Sequence, residues 1–230
     1  MRKSFRILFS VMLALALVCA MTAPALAKEF RDLVIHKPTA GSTWYKGDKI
    51  PMNVETETLD ADYLNKFTLK LCPKNSTKTV WTKASPKEEI YYYKTTLPSK
   101  SIAPGAYKLT VTLNAKYNSE ENDLSHEYSL SRAITIKELK APTKLKVKAG
   151  KKKVTIKYKK AKGAQKYEIY RSKKKSKGYK KRTTTTKAKF VDKKVKKGKK
   201  YYYKVRSVRT KYGTVKSKFT KPKRSKKVKR

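Results

Sequence analysis

Apolar residues alternate with lysine along much of the second half of the chain. A period of two places the apolar side chains on one face of a β-strand and the lysines on the other. Glycine-containing turn signals at Gly150, Gly163, Gly178, Gly198 and Gly213 separate the runs. The pattern predicts roughly seven short antiparallel strands over residues 141–222. The alternating positions are Leu145 and Val147; Val154, Ile156 and Tyr158; Tyr167 and Ile169; and Tyr201, Tyr203 and Val205.

The first half has less regular runs that also indicate strands. They fall at residues 67–71, 79–81, 90–93 and 128–136. No stretch beyond residue 27 shows the 3.6-residue period of an amphipathic helix. The sequence therefore predicts an all-β protein.

Residues 1–27 have the features of a cleavable signal peptide. Basic residues at the start are followed by an apolar stretch over 7–20 and by Ala25-Leu26-Ala27. No later apolar run is long enough to cross a membrane, so we expect no transmembrane segment in the mature chain. Cleavage would leave Cys72 as the single cysteine, which excludes an intrachain disulfide and predicts a small buried apolar residue.

Charge divides the remaining chain into two parts. The whole sequence has 61 Lys and Arg against 16 Asp and Glu. Residues 28–140 hold 18 basic and 14 acidic side chains, whereas residues 141–230 hold 40 basic side chains and two acids, Glu168 and Asp192. This shift predicts a domain boundary between residues 140 and 141. It also predicts a disordered basic tail over 223–230, which lacks acids entirely.

Three segments of the second half carry a family resemblance. Residues 153–158, 163–172 and 190–206 match strands of a fibronectin type III domain, with Tyr158 where tryptophan is usual. Residues 142–222 as a whole resemble the lysine-rich kind found in exported proteins of Gram-positive bacteria. The resemblance implies a tyrosine corner, in which the Tyr201 hydroxyl binds the backbone near Val195.

The first half carries a second resemblance, over residues 34–50 and 102–112. A strand, a Pro-x-x-Gly turn, a tryptophan and a further strand are similar to the Ser-Thr-rich, lipid-anchored cell-wall family, an immunoglobulin-like sandwich module. Together the two resemblances imply tandem β-sandwiches over 28–140 and 141–222, after the signal peptide.

Catalytic patterns are absent from the sequence. His36 and His126 occur in contexts typical of surface or strand-edge residues, and no nucleophile-elbow, zinc-protease or phosphate-loop motif is present. The adjacent pairs Glu88-Glu89 and Glu120-Glu121 would point to opposite faces of a strand, so neither pair converges on a substrate. The oxygen-rich segment 118–123 lacks the order of a calcium loop. We therefore expect a non-enzymatic protein without cofactor or metal.

Clustered lysines in predicted loops are the candidate functional residues. A net charge of +38 with two acids exceeds what solubility requires, and the repulsion costs stability. Lysine is a hydrated point charge, so weakly selective contact with a polyanion is expected. The residues predicted to contact it are Lys151, Lys152, Lys153, Lys173, Lys174, Lys175, Lys180, Lys181, Arg182, Lys223, Arg224, Lys226 and Lys227; further pairs occur at 193–194, 196–197 and 199–200.

These features predict a secreted, cell-surface-associated binding or adhesion protein, expected to be a monomer. Its partner would be an anionic cell-wall polymer or an acidic polysaccharide. Two alternatives stay open: an accessory carbohydrate-binding module for a separate hydrolase, and an extracellular nucleic-acid-binding protein. For the latter, tyrosines interleaved with lysine would stack on bases, with Tyr170 and Tyr202 as candidates for outward rings.

Overall fold

The computed structural model describes residues 33–56, 63–86, 92–117 and 125–229. Every regular element in these ranges is a β-strand, which confirms the all-β prediction. The predicted signal peptide, the two glutamate pairs and the segment 118–123 lie outside the described residues, as does the His126 side chain. The chain divides into two compact units, one containing Pro51–Thr95 and Tyr107–Ile134, the other Ser42–Ile50, Thr96–Ala106 and the residues from Thr135 onward. The boundary proposed at 140/141 stays a prediction.

The described residues of the first half form eight strands in two sheets. One sheet has the order β1-β3-β6 and the other β2-β8-β7-β4-β5. The strands are β1 (Val34–Lys37), β2 (Ser42–Tyr45), β3 (Lys49–Glu55), β4 (Tyr63–Pro73), β5 (Trp81–Ala84), β6 (Tyr92–Pro98), β7 (Gly105–Tyr117) and β8 (Ser125–Lys137).

Alternation of buried apolar residues with polar ones explains why these segments form strands. Met52 and Val54 in β3 are fully buried, as are Leu109 and Val111 in β7, and a polar residue separates the members of each pair. The predicted strands at 67–71 and 128–136 lie within β4 and β8. The strand predicted at 79–81 was misplaced: β5 begins at Trp81, because residues 74–80 form the turn and extended link that follow β4.

Two predictions for single side chains have different outcomes. His36 is exposed in β1 and contacts the Glu55 carboxylate, as expected of an edge residue. Cys72 is a free thiol but is only half-buried, which corrects the expectation of a buried one. Its sulfur lies 3.7 Å from the Thr77 carbonyl oxygen, near the turn that ends β4. A position near the end of a strand leaves part of the side chain open to solvent.

The second half forms a fibronectin type III-like sandwich. A three-stranded sheet has the order β13-β10-β9; the other has the order β12-β11-β14-β15, with β16 also paired to β14. The strands are β9 (Thr143–Gly150), β10 (Lys153–Lys159), β11 (Lys166–Ser172), β12 (Lys180–Thr185), β13 (Lys189–Asp192), β14 (Tyr202–Arg209), β15 (Val215–Lys216) and β16 (Lys223–Arg224).

Most of the core of this sandwich consists of residues that the alternation selected. Val154, Ile156, Ile169, Tyr203 and Val205 are fully buried. In β10 the alternating lysines Lys153, Lys157 and Lys159 face solvent, as period two requires. Apolar burial of this kind contributes about 25 cal/mol per Å² of area removed from water, so burial of these side chains stabilises the sandwich.

The tyrosine corner implied by the resemblance is present. The Lys196 backbone amide donates a hydrogen bond to the Tyr201 hydroxyl oxygen over 3.0 Å. Tyr158, where the resemblance has tryptophan, packs at 4.9 Å from the Tyr167 ring and donates its hydroxyl to the Lys187 carbonyl. The tyrosine thus fills the tryptophan position and satisfies its polar atom.

The prediction of a disordered tail over 223–230 was wrong for the described residues to 229. Lys223 and Arg224 pair with β14, and Val228 is 2% exposed in the same core as Val154. Ser225 is also buried, and its hydroxyl accepts a hydrogen bond from the Tyr201 amide. Ser225 and Val228 are thus anchored in the fold, while Lys226, Lys227 and Lys229 face solvent.

Candidate polyanion-binding surface

The two acids of the second half lie inside the fold. Glu168 is 6% exposed and Asp192 1% exposed. The sequence has no other Asp or Glu after residue 140. The exposed charged side chains from 141 to 229 are therefore all positive.

Glu168 is held by cations on the outer side of its sheet. Its Oε2 accepts hydrogen bonds from Arg206, with Nε at 2.7 Å, and its Oε1 lies 3.5 Å from the Lys216 ammonium. Burial opposes ionisation, but the Arg206 hydrogen bond and charge, with Lys216 and Lys181, lower the pKa of Glu168 below its ordinary value. The carboxylate is therefore ionised at neutral pH, and its charge is neutralised by these cations on the outer face of the sheet.

Asp192 links the two sheets of the sandwich. It lies at the end of β13 and accepts hydrogen bonds from Arg171 Nη1 in β11 at 2.9 Å and from the Tyr203 hydroxyl in β14 at 3.0 Å. The Lys194 amide adds a third, at 3.1 Å. Burial, together with the Asp192 charge and hydrogen bond, raises the pKa of Tyr203. Tyr203 therefore remains a neutral donor at physiological pH.

Strand register brings the lysine clusters to one end of this sandwich. Val154 pairs with Asp192, so the β9–β10 turn and the loop that follows Asp192 lie at the same end of the three-stranded sheet. Ser172 pairs with Tyr202, so the β11–β12 loop lies where the Asp192–Tyr202 loop enters the other sheet. We call this surface the basic end: residues 151–153, 173–180, 193–200 and 226–229.

The C-terminal residues join the basic end through backbone hydrogen bonds. The Lys229 amide binds the Gly150 carbonyl at 3.2 Å, and the Lys152 amide binds the Lys229 carbonyl at 3.3 Å. On the other side, the Val228 amide binds the Lys199 carbonyl at 3.0 Å. Lysines from three parts of the sequence thus lie on one ordered surface.

The structure gathers most of the residues predicted to contact a polyanion. The members that lie at the basic end and are exposed are residues 151–153, residues 173–175, Lys180 and residues 226–227. Lys223 and Arg224 lie on β16 next to it. Lys181 contributes to the charge around Glu168. Arg182 is largely internal, because its Nε lies 3.7 Å from Asp192 and its side chain is 23% exposed.

The sequence did not reveal the cation–aromatic row on the outer face of the larger sheet. The Lys204 ammonium lies 4.3 Å from the Tyr179 ring centre and 4.1 Å from that of Phe219. Arg206 lies 4.7 Å from Phe219, which meets Tyr170 edge-on. Tyr170 and Tyr202 are half-buried, and a cation lies over each of the Tyr170, Tyr179 and Phe219 rings.

Two observations bear on other classes of function. Within 33–56, 63–86, 92–117 and 125–229, no cluster of three or more His, Cys, Asp or Glu has the placement to hold a metal ion. In those same ranges no helix is long and apolar enough to cross a membrane.

Comparison with known proteins gives structural likenesses only. No protein-family model and no curated protein matches the chain. It is similar to a solved Fn3-like protein from Clostridium thermocellum, with 25% identity and a TM-score of 0.36 over 38% of this chain and 92% of that one. It is also similar to chicken CNTN1 FN1-FN3 domains, with 13% identity and a TM-score of 0.37 over 86% of this chain and 66% of that one. A third similar structure is a beta-1,2-glucanase from Parabacteroides distasonis, with 13% identity and a TM-score of 0.36 over 86% of this chain and 34% of that one. The fibronectin type III-like assignment of the second half rests on its own strand order and tyrosine corner.

Proposed function

We propose that the protein is a secreted, non-enzymatic binding protein that the basic end holds on an anionic polymer of the cell envelope. The observation that carries the proposal is the arrangement of charge: lysines from four segments share one surface, and the two nearby carboxylates are buried. The exported location rests on residues 1–27 of the sequence.

A repeating polyanion suits this surface better than a small anion does. Each lysine that neutralises a charge on a polymer releases a condensed counterion, so affinity accumulates along the polymer. Six of the eight residues from 193 to 200 are lysine, which provides many cationic groups within one loop. Without exposed acids, the field at this end has a single sign and would attract a polymer from a distance of about 10 Å at moderate salt.

Wall polymers and acidic polysaccharides are the proposed ligands. Lysine ammonium groups recognise charge density more than shape, so a dense phosphate or carboxylate polymer would satisfy them without a defined sugar site. The tyrosines give the nucleic-acid alternative little support, since Tyr167, Tyr201 and Tyr203 are buried and the outward candidates Tyr170 and Tyr202 are half-buried. The first half would act as an adhesive module or as a spacer.

Co-sedimentation of the full chain with purified cell walls, across a salt series, tests the proposal. We expect binding that weakens steeply with salt and that falls when the anionic wall polymers are removed chemically. Salt-insensitive binding would overturn the proposal in favour of a sugar site of an accessory module. Binding to DNA without binding to walls would overturn it in favour of a nucleic-acid partner.

A further inference from the structure

We propose that the cavity beside the β11–β12 loop is a specific subsite for one phosphate group of the polymer. The cavity has a volume of about 340 Å³, and Arg171, Arg182, Lys174, Lys177 and Lys180 contribute to its lining. This volume lies at the small end of the range for ligand sites, which suits one anionic group with part of its polymer unit. The inference rests on the proposed function and adds a selective element to it.

The arginines of the cavity share one carboxylate. Arg171 Nη1 and Arg182 Nε lie 2.9 and 3.7 Å from the same Asp192 oxygen. A single negative charge therefore faces two guanidinium groups, and the cavity keeps a net positive charge before any lysine is counted. The Arg182 Nε is buried and makes no hydrogen bond within the described residues. An oxyanion in the cavity would supply the missing negative charge.

The guanidinium of Arg171 is fixed before a ligand arrives. Its Nη1 also donates to the Lys194 carbonyl, and the group lies 4.8 Å from the centre of the Tyr201 ring. Arginine presents a planar fork that matches two oxygens of a phosphate, unlike a lysine ammonium. A fixed fork loses little conformational entropy on binding, so it gains more affinity from a phosphate than each of the surrounding lysines does.

The loop over the cavity is held in a defined shape. The Ser172 hydroxyl accepts from the Lys174 amide at 2.9 Å and donates to the Lys177 carbonyl. The Tyr179 hydroxyl donates to the Lys175 carbonyl at 2.8 Å, and Gly178 has a φ of +72°, a conformation that favours glycine. These bonds set the positions from which Lys173 and Lys174 project at the rim of the cavity.

Three variants of the full chain separate a subsite from a diffuse field. Arg182→Lys keeps the charge and removes the second guanidinium group of the cavity. A pocket triple variant changes Lys174, Lys177 and Lys180 to Gln, and an equally charged control changes Lys196, Lys197 and Lys199 to Gln. Affinity for pyrophosphate and for long-chain polyphosphate is measured by calorimetry at fixed salt. Affinity for pyrophosphate measures binding at the subsite, and affinity for polyphosphate measures binding to the whole basic surface. Dextran sulfate is a second polymer that shows whether sulfate substitutes for phosphate.

We expect Arg182→Lys and the pocket triple variant to weaken pyrophosphate binding at least about tenfold, as removal of one charge-assisted hydrogen bond implies. The control triple variant should change it less than about threefold. The subsite would be overturned if the two triple variants weakened pyrophosphate binding equally, or if Arg182→Lys did not weaken it. Binding of the polymer would then still support the proposed function. A wild-type chain that binds neither polymer would overturn the proposed function itself. Thermal melting checks the fold of each variant, and the comparison of the two triple variants decides the outcome if Arg182→Lys unfolds.

Discussion

The Tyr203 hydroxyl donates a hydrogen bond to the Asp192 carboxylate across the two sheets of the second sandwich, at an O···O distance of 3.0 Å. Tyr203 is fully buried and Asp192 is 1% exposed. Arg171 binds the same carboxylate oxygen at 2.9 Å. The acid is thus withdrawn from the surface and used to join β11, β13 and β14. The basic end owes its uniform sign to this arrangement.

Replacement of Asp192 by asparagine should destabilise the sandwich by about 3 kcal/mol. The variant keeps the shape but leaves Arg171 without its charged partner in a largely buried position, and loss of one partner of such a pair is costly. Urea denaturation gives the free energy of unfolding. Lys193→Gln, at the adjacent exposed position, is the control and should change it by less than about 0.5 kcal/mol. Equal stability of the two variants would show that the pair contributes nothing.

Glu168→Gln should remove a part of the stability that depends on pH. The pKa of Glu168 is lowered in the folded chain, so the unfolded chain binds more protons as pH falls below the ordinary value of 4.5. The stabilisation by Glu168 is therefore complete above that pH and is lost as pH falls through the lower folded value.

Urea denaturation at pH 7 and at pH 3 measures this effect. The wild type should exceed Glu168→Gln by about 2 kcal/mol at pH 7, and the difference should shrink at pH 3. A difference that is the same at both values would contradict the lowered pKa.

Val228→Ala should cost about 1–3 kcal/mol, because the side chain is 2% exposed in the core. Lys227→Ala, at the exposed neighbouring position, serves as the control and should have little effect. Amide hydrogen exchange adds a second measurement: the amides of Val228 and Lys229 donate to Lys199 and Gly150, so they should be protected. Unprotected exchange at both amides would show that the tail is disordered, as the sequence predicted.

Tyr201→Phe should lower stability by about 1–2 kcal/mol with little change in the packing of the ring. The substitution leaves the Lys196 amide without its acceptor, which carries most of the cost. Protection of the Lys196 amide from hydrogen exchange should fall together with the stability. A variant as stable as the wild type would mean that solvent replaces the hydroxyl without penalty.

Period two was sufficient to predict the sandwich core. Val154, Ile156, Tyr203 and Val205 alternate with exposed or half-buried residues in the sequence and are buried in the fold. The tyrosine corner followed from the family resemblance, and Tyr201 makes its bond at Lys196, next to Val195 as expected. Short-range patterns of this kind depend on neighbouring residues and are readable without a structure.

The basic end and its cavity depend on pairing between distant residues. Asp192 meets Arg171 and Tyr203 only because β11, β13 and β14 adopt their observed registers, and no local pattern specifies those registers. The ordered tail escaped prediction because Val228 is a single apolar residue among lysines, which is the composition of a disordered segment. Its burial is a tertiary effect.

The salt dependence of polyanion binding tests the central proposal most directly. Two full-chain variants of equal charge are compared with the wild type by titration with long-chain polyphosphate at several salt concentrations. One changes exposed lysines of the basic end to glutamine: Lys151, Lys152, Lys197 and Lys199. The other changes exposed lysines on the outer face of the three-stranded sheet: Lys146, Lys157, Lys159 and Lys189. We predict that the basic-end variant flattens the slope of log affinity against log salt, by about 0.7 for each phosphate that is no longer neutralised, while the sheet variant keeps nearly the wild-type slope. Equal slopes for the two variants would contradict a binding surface at the basic end.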